Sequence, residues 1–428
     1  MTSIGRVMVV DGRRTPFCRS GTVFRDLSAY DLGRMAVAGL LADVAVDPGE
    51  VGRLVMGTVI ADPATSNLGR EVALASQLPV TCPAFTVTVA CVSSIQAFID
   101  CALVVERGEV DVAIAAGAET MSDVPIRFRK PVRQRLIASQ RARGLWGYLK
   151  LLRGLRPADL TPEPMAIAEY STGETMGANC ERLAKAFGID RRAQDAFAMS
   201  SHQRAEEATQ NGDLETQIVP YWPPSGDHAL RRDNGIRGDT TIDKLAALKP
   251  AFDRRFGTVT AGNSSYLTDG AAAVLVASER ACDRLGLEPM AALRASAVVA
   301  LDPLEELLLG PAVAVPRALA SAALELPEIE VVELHEAFAA QVLAVMKALE
   351  DDAWCRRRLG LEAAFGTLDS DRLNAWGGSL SLGHPFGATG ARLITTCAHR
   401  MARESARFGL IAACAAGAVG MALVLEEV

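Results

Sequence analysis

The chain has 428 residues, half of them apolar and only 5% aromatic, with a net charge of −7. That length predicts two or three packed units, and the acidic balance offers no footprint for nucleic acid. No apolar run reaches the ~18 residues of a membrane span, no signal peptide is recognisable, and nine scattered cysteines without CxxC spacing predict free thiols, a cytoplasmic setting and no metal site.

From the start to about residue 120, strand-like and helix-like runs alternate: Arg6–Val10, Leu32–Leu41, Arg53–Ile60, Phe85–Val89, Ser94–Glu106 and Asp111–Ala116. This is a βαβ rhythm. Residues 121–249 carry more charge and more proline, and read as a loop subdomain inserted into a first half built from 1–120 and 250–280, whose last strand is Gly270–Val276. The rhythm then restarts in a second half, 281–428, with Leu293–Val299, Val313–Ala323, Glu330–Leu334, Ala339–Leu349, Ala388–Ala402, Phe408–Ala413 and Ala422–Leu425. Cys91 lies 26 residues before Gly117, and His384 lies 33 before Gly417. The parallel suggests a tandem duplication, which would bring two strand ends and two helix starts to one crevice.

Cys91 sits where the β-branched run from Phe85 gives way to small residues and then a helix, so helix-start N–H groups are expected to stabilise its thiolate. A buried cysteine capping a helix is the plainer reading, weakened here by the matching site in the other half. His384, between Gly383 and Pro385, and His335, opening His335-Glu-Ala-Phe338, each follow a strand-like run. A histidine beside Cys91 can take its proton. His202, His228 and His399 read as surface residues. Cys414 ends a strand-like run, and a thiol with a pKa of roughly 8 can both give and accept a proton at carbon. The small residues after it allow backbone N–H groups to form an oxyanion hole; tight helix packing explains them equally well. Cys82, Cys101, Cys180, Cys282 and Cys397 read as core filler.

Seven motifs, in order, carry a family resemblance: Arg14-Thr-Pro-Phe17, Val89-Ala-Cys-Val-Ser-Ser94, Gly117-Ala-Glu-Thr-Met-Ser122, Leu248-Lys-Pro-Ala-Phe252, Gly257-Thr-Val-Thr-Ala-Gly-Asn263, Thr268-Asp-Gly-Ala-Ala272 and Gly383-His-Pro-Phe-Gly-Ala-Thr-Gly390. Together they resemble the thiolases almost end to end. Within that family His335-Glu-Ala-Phe338, Asn263–Gly270 and Trp376–Phe386 are most similar to the β-subunits of the trifunctional fatty-acid oxidation complex and their bacterial relatives. The resemblance implies an α/β thiolase fold, with duplicated βαβ halves in a layered α-β-α-β-α arrangement. It implies degradative cleavage of 3-ketoacyl-CoA, with CoA as co-substrate and no bound cofactor. Cys91 would be the nucleophile, His384 its base, Cys414 the acid at carbon, and His335 with His384 the donors to the departing enolate. The backbone of Ala416 would serve a second oxyanion hole, Ser265 would touch the pantetheine arm, and Arg237 the CoA nucleotide. A homodimer or larger assembly and a hydratase/dehydrogenase α-subunit are implied partners. Ala416 and Ala418 stand where most thiolases have glycine. A biosynthetic acetoacetyl-CoA thiolase and an idle acyl-CoA-binding scaffold are alternatives; the cysteine at 414 argues against a decarboxylating ketoacyl synthase.

Between Val124 and Ala158 there are ten Lys/Arg and no acidic residue, interleaved with Trp146, Tyr148 and several leucines. The pattern suits contact with an anionic membrane. A partner-subunit interface, a wall guiding CoA phosphates and a solvated hairpin compete with that reading.

Overall fold

The computed structural model describes residues 5–163, 168–224, 226 and 228–428. Two half-sheets repeat one strand order. In the first half it is Val7–Arg14, Thr268–Ser278, Val112–Glu119, Arg53–Gly57, Ala84–Val87; in the second it is Ala291–Ala300, Val419–Glu426, Phe408–Ala415, Val331–Leu334. The halves join through a short antiparallel pairing of Met8 and Val9 with Ala292 and Ala291. Strands Val112–Glu119 and Phe408–Ala415 are buried at every position, which is why they read as continuous small-aliphatic runs rather than alternating ones.

Three apolar cores alternate with the sheets. The central one is built from the helices Ser93–Glu106 and Thr389–Glu404, one from each half, packed together between the half-sheets. An outer core on the first half gathers under the Ala29–Val44 helix, and another on the second half under Gly310–Ala322 and Ala339–Glu350. The five layers are therefore helix, sheet, paired helices, sheet, helix. Element ends differ from the sequence reading by a few residues; for example, the helix expected over Leu32–Leu41 runs over Ala29–Val44 because Ser28 and Asp31 form a capping box.

The second half joins Phe408–Ala415 to its antiparallel neighbour through Ala416–Ala418 alone, whereas the first half places 120–267 at the same point. That long excursion is pinned at its return by a fully buried two-pronged pair, Arg14 to Asp233 at 2.6 and 2.9 Å. Its helices Met176–Ala186 and Arg191–Gln210 lie against Ala339–Glu350 and Ser379–Leu382 of the second half. Among the described residues no helix is long and apolar enough to cross a membrane.

Candidate active site

The starts of the two central helices meet because glycines let backbone touch backbone. A Cβ on Gly117 would sit 2.0 Å from the Gly387 carbonyl oxygen, and one on Gly57 would strike Ser93. Two side chains of the first half then hold the second. Ser94 Oγ accepts the N–H of Ala391 at 2.9 Å. Glu119 accepts the N–H groups of Val59, Ile60 and Gly387, and the hydroxyl of Thr58. Burial pushes the Glu119 carboxyl up to about 7 against those four donors.

Cys91 occupies a tight strand-to-helix turn. Ala90 is left-handed (φ 47°), and Ser93 Oγ ties the loop by accepting the Val89 N–H and donating to the Ala90 carbonyl. The Cys91 sulfur and one ring nitrogen each of His335 and His384 all lie within 4.8 Å of one another. The imidazoles lie side by side, 4.2 Å between centroids and tilted 47° to one another. Each Nδ1 is engaged by a hydroxyl: His335 by Ser379 at 2.9 Å, His384 by Thr389 at 2.6 Å. Both Nε2 atoms are buried without a partner, so they are the atoms left to meet the thiol and whatever it binds. Thr389 donates its hydroxyl hydrogen to the Pro385 carbonyl at 3.1 Å. Its oxygen therefore accepts from His384 Nδ1–H, which leaves a lone pair on Nε2, the form a general base needs.

The backbone N–H of Ala416 lies near enough to the Cys91 sulfur to favour its thiolate. Cys414 is buried one residue before the end of its strand, and burial followed by the charge of Cys91 pushes its thiol up. Its sulfur is not within the same radius of all three other groups. Cys91, His335 and His384 would also suit a zinc ion, which takes four ligands in a structural site; among the described residues no fourth side-chain donor joins them. The turn after Cys414 is strained at Ala418 (φ 56°), where a Cβ costs about 1 kcal/mol.

The other expected residues lie apart from this cluster. Ser265 is half-buried and donates its backbone N–H to the Ala337 carbonyl, two residues before Leu267 pairs with His384, so it borders the site. Arg237 is exposed, its N–H on His202 Nδ1 at 3.2 Å.

Three expectations are corrected. The helix start does not decide the state of the Cys91 thiol: burial outweighs the N–H groups of Ala416 and of Cys91 itself and, with Glu119 adding to it, lifts the thiol to about 12. His202 is buried, with its pKa lowered to about 4, chiefly by burial and then by Arg237. His399 is buried too, bridging Asp11 and Thr216. Sequence reasoning also passed over Ser379, Thr389, Arg392 and Glu119, all in or near quoted motifs, and Glu169, which lies in none of them. Thr389 lies five residues after His384, which was the available signal for it; Ser379 serves His335 from 44 positions away, and no local spacing announces that pairing. Glu169 Oε1 accepts the Gly417 N–H.

Residues 7–280 match the thiolase N-terminal domain and residues 287–427 the thiolase C-terminal domain. The bovine mitochondrial trifunctional enzyme subunit beta is 44% identical over 424 residues, 99% of this chain and 89% of that one. A probable 3-ketoacyl-CoA thiolase of Caenorhabditis elegans is 44% identical over 98% of this chain and 94% of its own. A 3-ketoacyl-CoA thiolase of Pectobacterium carotovorum is 43% identical over 98% and 96%. Among solved structures, human mitochondrial 3-ketoacyl-CoA thiolase superposes with a TM-score of 0.85 at 28% identity, each chain fully covered. The Bacillus anthracis acetyl-CoA acetyltransferase gives 0.86 at 28%, again with each chain fully covered. Matched in both halves and over nearly all of its length, the chain belongs to the thiolase family.

Proposed function

We propose that this protein is a degradative 3-ketoacyl-CoA thiolase, an acyltransferase that cleaves 3-ketoacyl-CoA with CoA into acetyl-CoA and a shortened acyl-CoA. The observation that carries the reading is the cluster of one thiol and one ring nitrogen from each of two imidazoles within 4.8 Å, with both Nε2 atoms buried and unpartnered. The curated relatives named above support the degradative direction over the biosynthetic one.

In this reading His384 Nε2 takes the Cys91 proton as the sulfur attacks the 3-keto carbon. With the resting thiol at about 12 and burial holding His384 down to about 3, a standing ion pair is disfavoured, so transfer accompanies attack. The C2–C3 bond then breaks. The acyl group remains on Cys91, and the electron pair leaves with acetyl-CoA as its enolate. His335 and the newly formed His384 Nε2–H face the enolate oxygen, and Cys414 gives its proton to C2. CoA gives its thiol proton to the Cys414 thiolate and attacks the Cys91 thioester, whose oxygen is held by the N–H groups of Cys91 and Ala416; the acyl–Cys91 bond breaks, and His384 returns its proton to the departing Cys91 sulfur. CoA is consumed as a substrate, so the chemistry draws on no resident cofactor or metal. Ser265 borders the pantetheine path; Arg237 is left as a distant contact for the CoA nucleotide.

We assign the homodimer contact to the outer edge of the Ala84–Val87 strand, half-buried and unpaired among the described residues. The trifunctional relatives support an α-subunit partner. The basic segment 124–158 is read as a membrane-facing surface. Its helices Lys130–Ser139 and Gly144–Leu152 present Ile137, Leu145 and Trp146 at 69, 73 and 79% exposure beside ten cations. Nine free cysteines fit a reducing, cytoplasmic compartment. The deciding experiment is thiolysis of C4, C8 and C16 3-ketoacyl-CoAs followed at the enolate absorbance. Absence of CoA-dependent cleavage on all three would leave the idle-scaffold reading.

A further inference from the structure

His335 and His384 differ in what holds their inner nitrogens. At His335 the partner is Ser379 Oγ, which also receives Arg392 Nη2 at 2.9 Å. A guanidinium can only donate, so this contact occupies a lone pair of the hydroxyl oxygen. Ser379, His335 and Arg392 are each fully buried. The hydroxyl hydrogen consequently has one acceptor, His335 Nδ1, 2.9 Å away. A hydrogen on Nδ1 would make Ser379 accept twice and bury its own hydrogen with nothing to meet, an arrangement folded proteins avoid. Arg392 is held in turn: Glu333 faces it at 3.5 Å, and Arg400 grips the other oxygen of Glu333 at 2.8 Å.

We propose that Ser379, oriented by Arg392, fixes His335 in the tautomer that carries its hydrogen on Nε2, making it a standing donor to substrate oxygen. The inference rests on the thiolase reading above and deepens it. Thr389 sets the opposite polarity at His384, because its own hydrogen goes to Pro385. Two adjacent imidazoles thus offer one Nε2–H and one Nε2 lone pair beside the same thiol, and neither has to exchange a proton with solvent before reaction. Ser379 reaches the reacting atoms only through His335, so it is a positioning residue. A flipped tautomer would set a lone pair against the enolate oxygen.

The test is ¹⁵N-histidine labelling of the full-length enzyme, whose five histidines give a resolvable two-bond ¹H–¹⁵N spectrum, with His335→Asn to assign the signal. The wild-type His335 pattern is expected to be that of a neutral ring protonated at Nε2. Ser379→Ala is expected to populate the Nδ1–H form and to lower kcat about 10–100-fold with KM nearly unchanged, the loss typical of an impaired oxyanion donor. Ser379→Thr, which restores the hydroxyl, should recover the Nε2–H pattern. A wild-type His335 protonated at Nδ1 overturns the proposal whatever the variants do. So does a Ser379→Ala enzyme that keeps both its Nε2–H pattern and its kcat. The spectrum reads the tautomer without turnover, so a chain lacking thiolysis yet showing the Nε2–H pattern would sink the thiolase reading alone.

Discussion

The Glu169 carboxylate accepts the backbone N–H of Gly417 at 2.6 Å, and Gly417 directly follows Ala416, whose own N–H lies near the Cys91 sulfur. A buried side chain of the long excursion between two strands of the first half therefore holds the one turn of the second half that serves the nucleophile. Glu169→Ala is expected to lower kcat about tenfold, a fraction of what losing an oxyanion donor outright costs. Glu169→Gln, which still offers an oxygen to the N–H, should keep most of the activity. Steady-state kcat and KM for both variants check this, and equal activity in Glu169→Ala and wild type would refute it.

The two thiols should fail in different half-reactions. Cys91→Ala is expected to lose thiolysis by at least about 10³-fold and to form no acyl adduct, as nucleophile removal does. Cys414→Ala should still accept an acyl group from acyl-CoA while C–C cleavage falls by about 10²–10³-fold. Intact-protein mass after mixing with acyl-CoA separates the cases. Because burial lifts the Cys91 thiol to about 12, alkylation by iodoacetamide should rise about tenfold per pH unit from 7 to 10 without a plateau. A plateau near pH 7 would mean the thiol is far more acidic than its surroundings imply.

Acid should weaken the fold through its buried imidazoles. His202 is held down to about 4 and His384 to about 3, and His335 well below its ordinary value, each chiefly by burial. These rings stay neutral in the fold and take up protons only on unfolding. Stability is whole above about 6.5 and is lost as pH falls toward 4, at about 1.4 kcal/mol per unit for each ring, or about 4 for the three. Urea unfolding from pH 7 to 4.5 measures the slope, and His202→Gln should reduce it by about a third. A midpoint that does not move over this range would contradict the assignment.

Flotation with phosphatidylserine-containing vesicles is expected to carry the protein upward at low salt, and zwitterionic vesicles to leave it behind. Reversing Arg141, Arg143 and Lys150 to Glu should abolish flotation without changing turnover. Cation loss with no effect on flotation would remove the membrane reading.

How much of this was legible beforehand depended on whether a residue's role is written in its neighbours. Cys91 and His384 announce themselves through the small residues and glycines that surround them, because close backbone approach is a local requirement. The burial of His399 was not legible, since its partner Asp11 lies 388 positions away. The same holds for Glu169, which looks like any acidic loop residue until Gly417 is placed against it. The acidity of Cys91 was misread because its sequence shows a helix start and hides the desolvation that outweighs it. Ser379 and Thr389 were visible as hydroxyls, but which of them donates to its histidine depends on Arg392 and the Pro385 carbonyl.

Strand Val7–Arg14 pairs with Thr268–Ser278 and, more briefly, with Ala291 and Ala292. Once synthesised, it must wait for roughly 270 more residues before a sheet neighbour exists, about 15–50 s at ordinary elongation rates. Through that interval Val7, Met8, Val9 and Val10, all buried in the finished molecule, lack the strands that flank them in the sheet. Nascent-chain chaperones are the natural custodians of such a stretch, and slow, assisted folding follows from where its pairing strand is encoded.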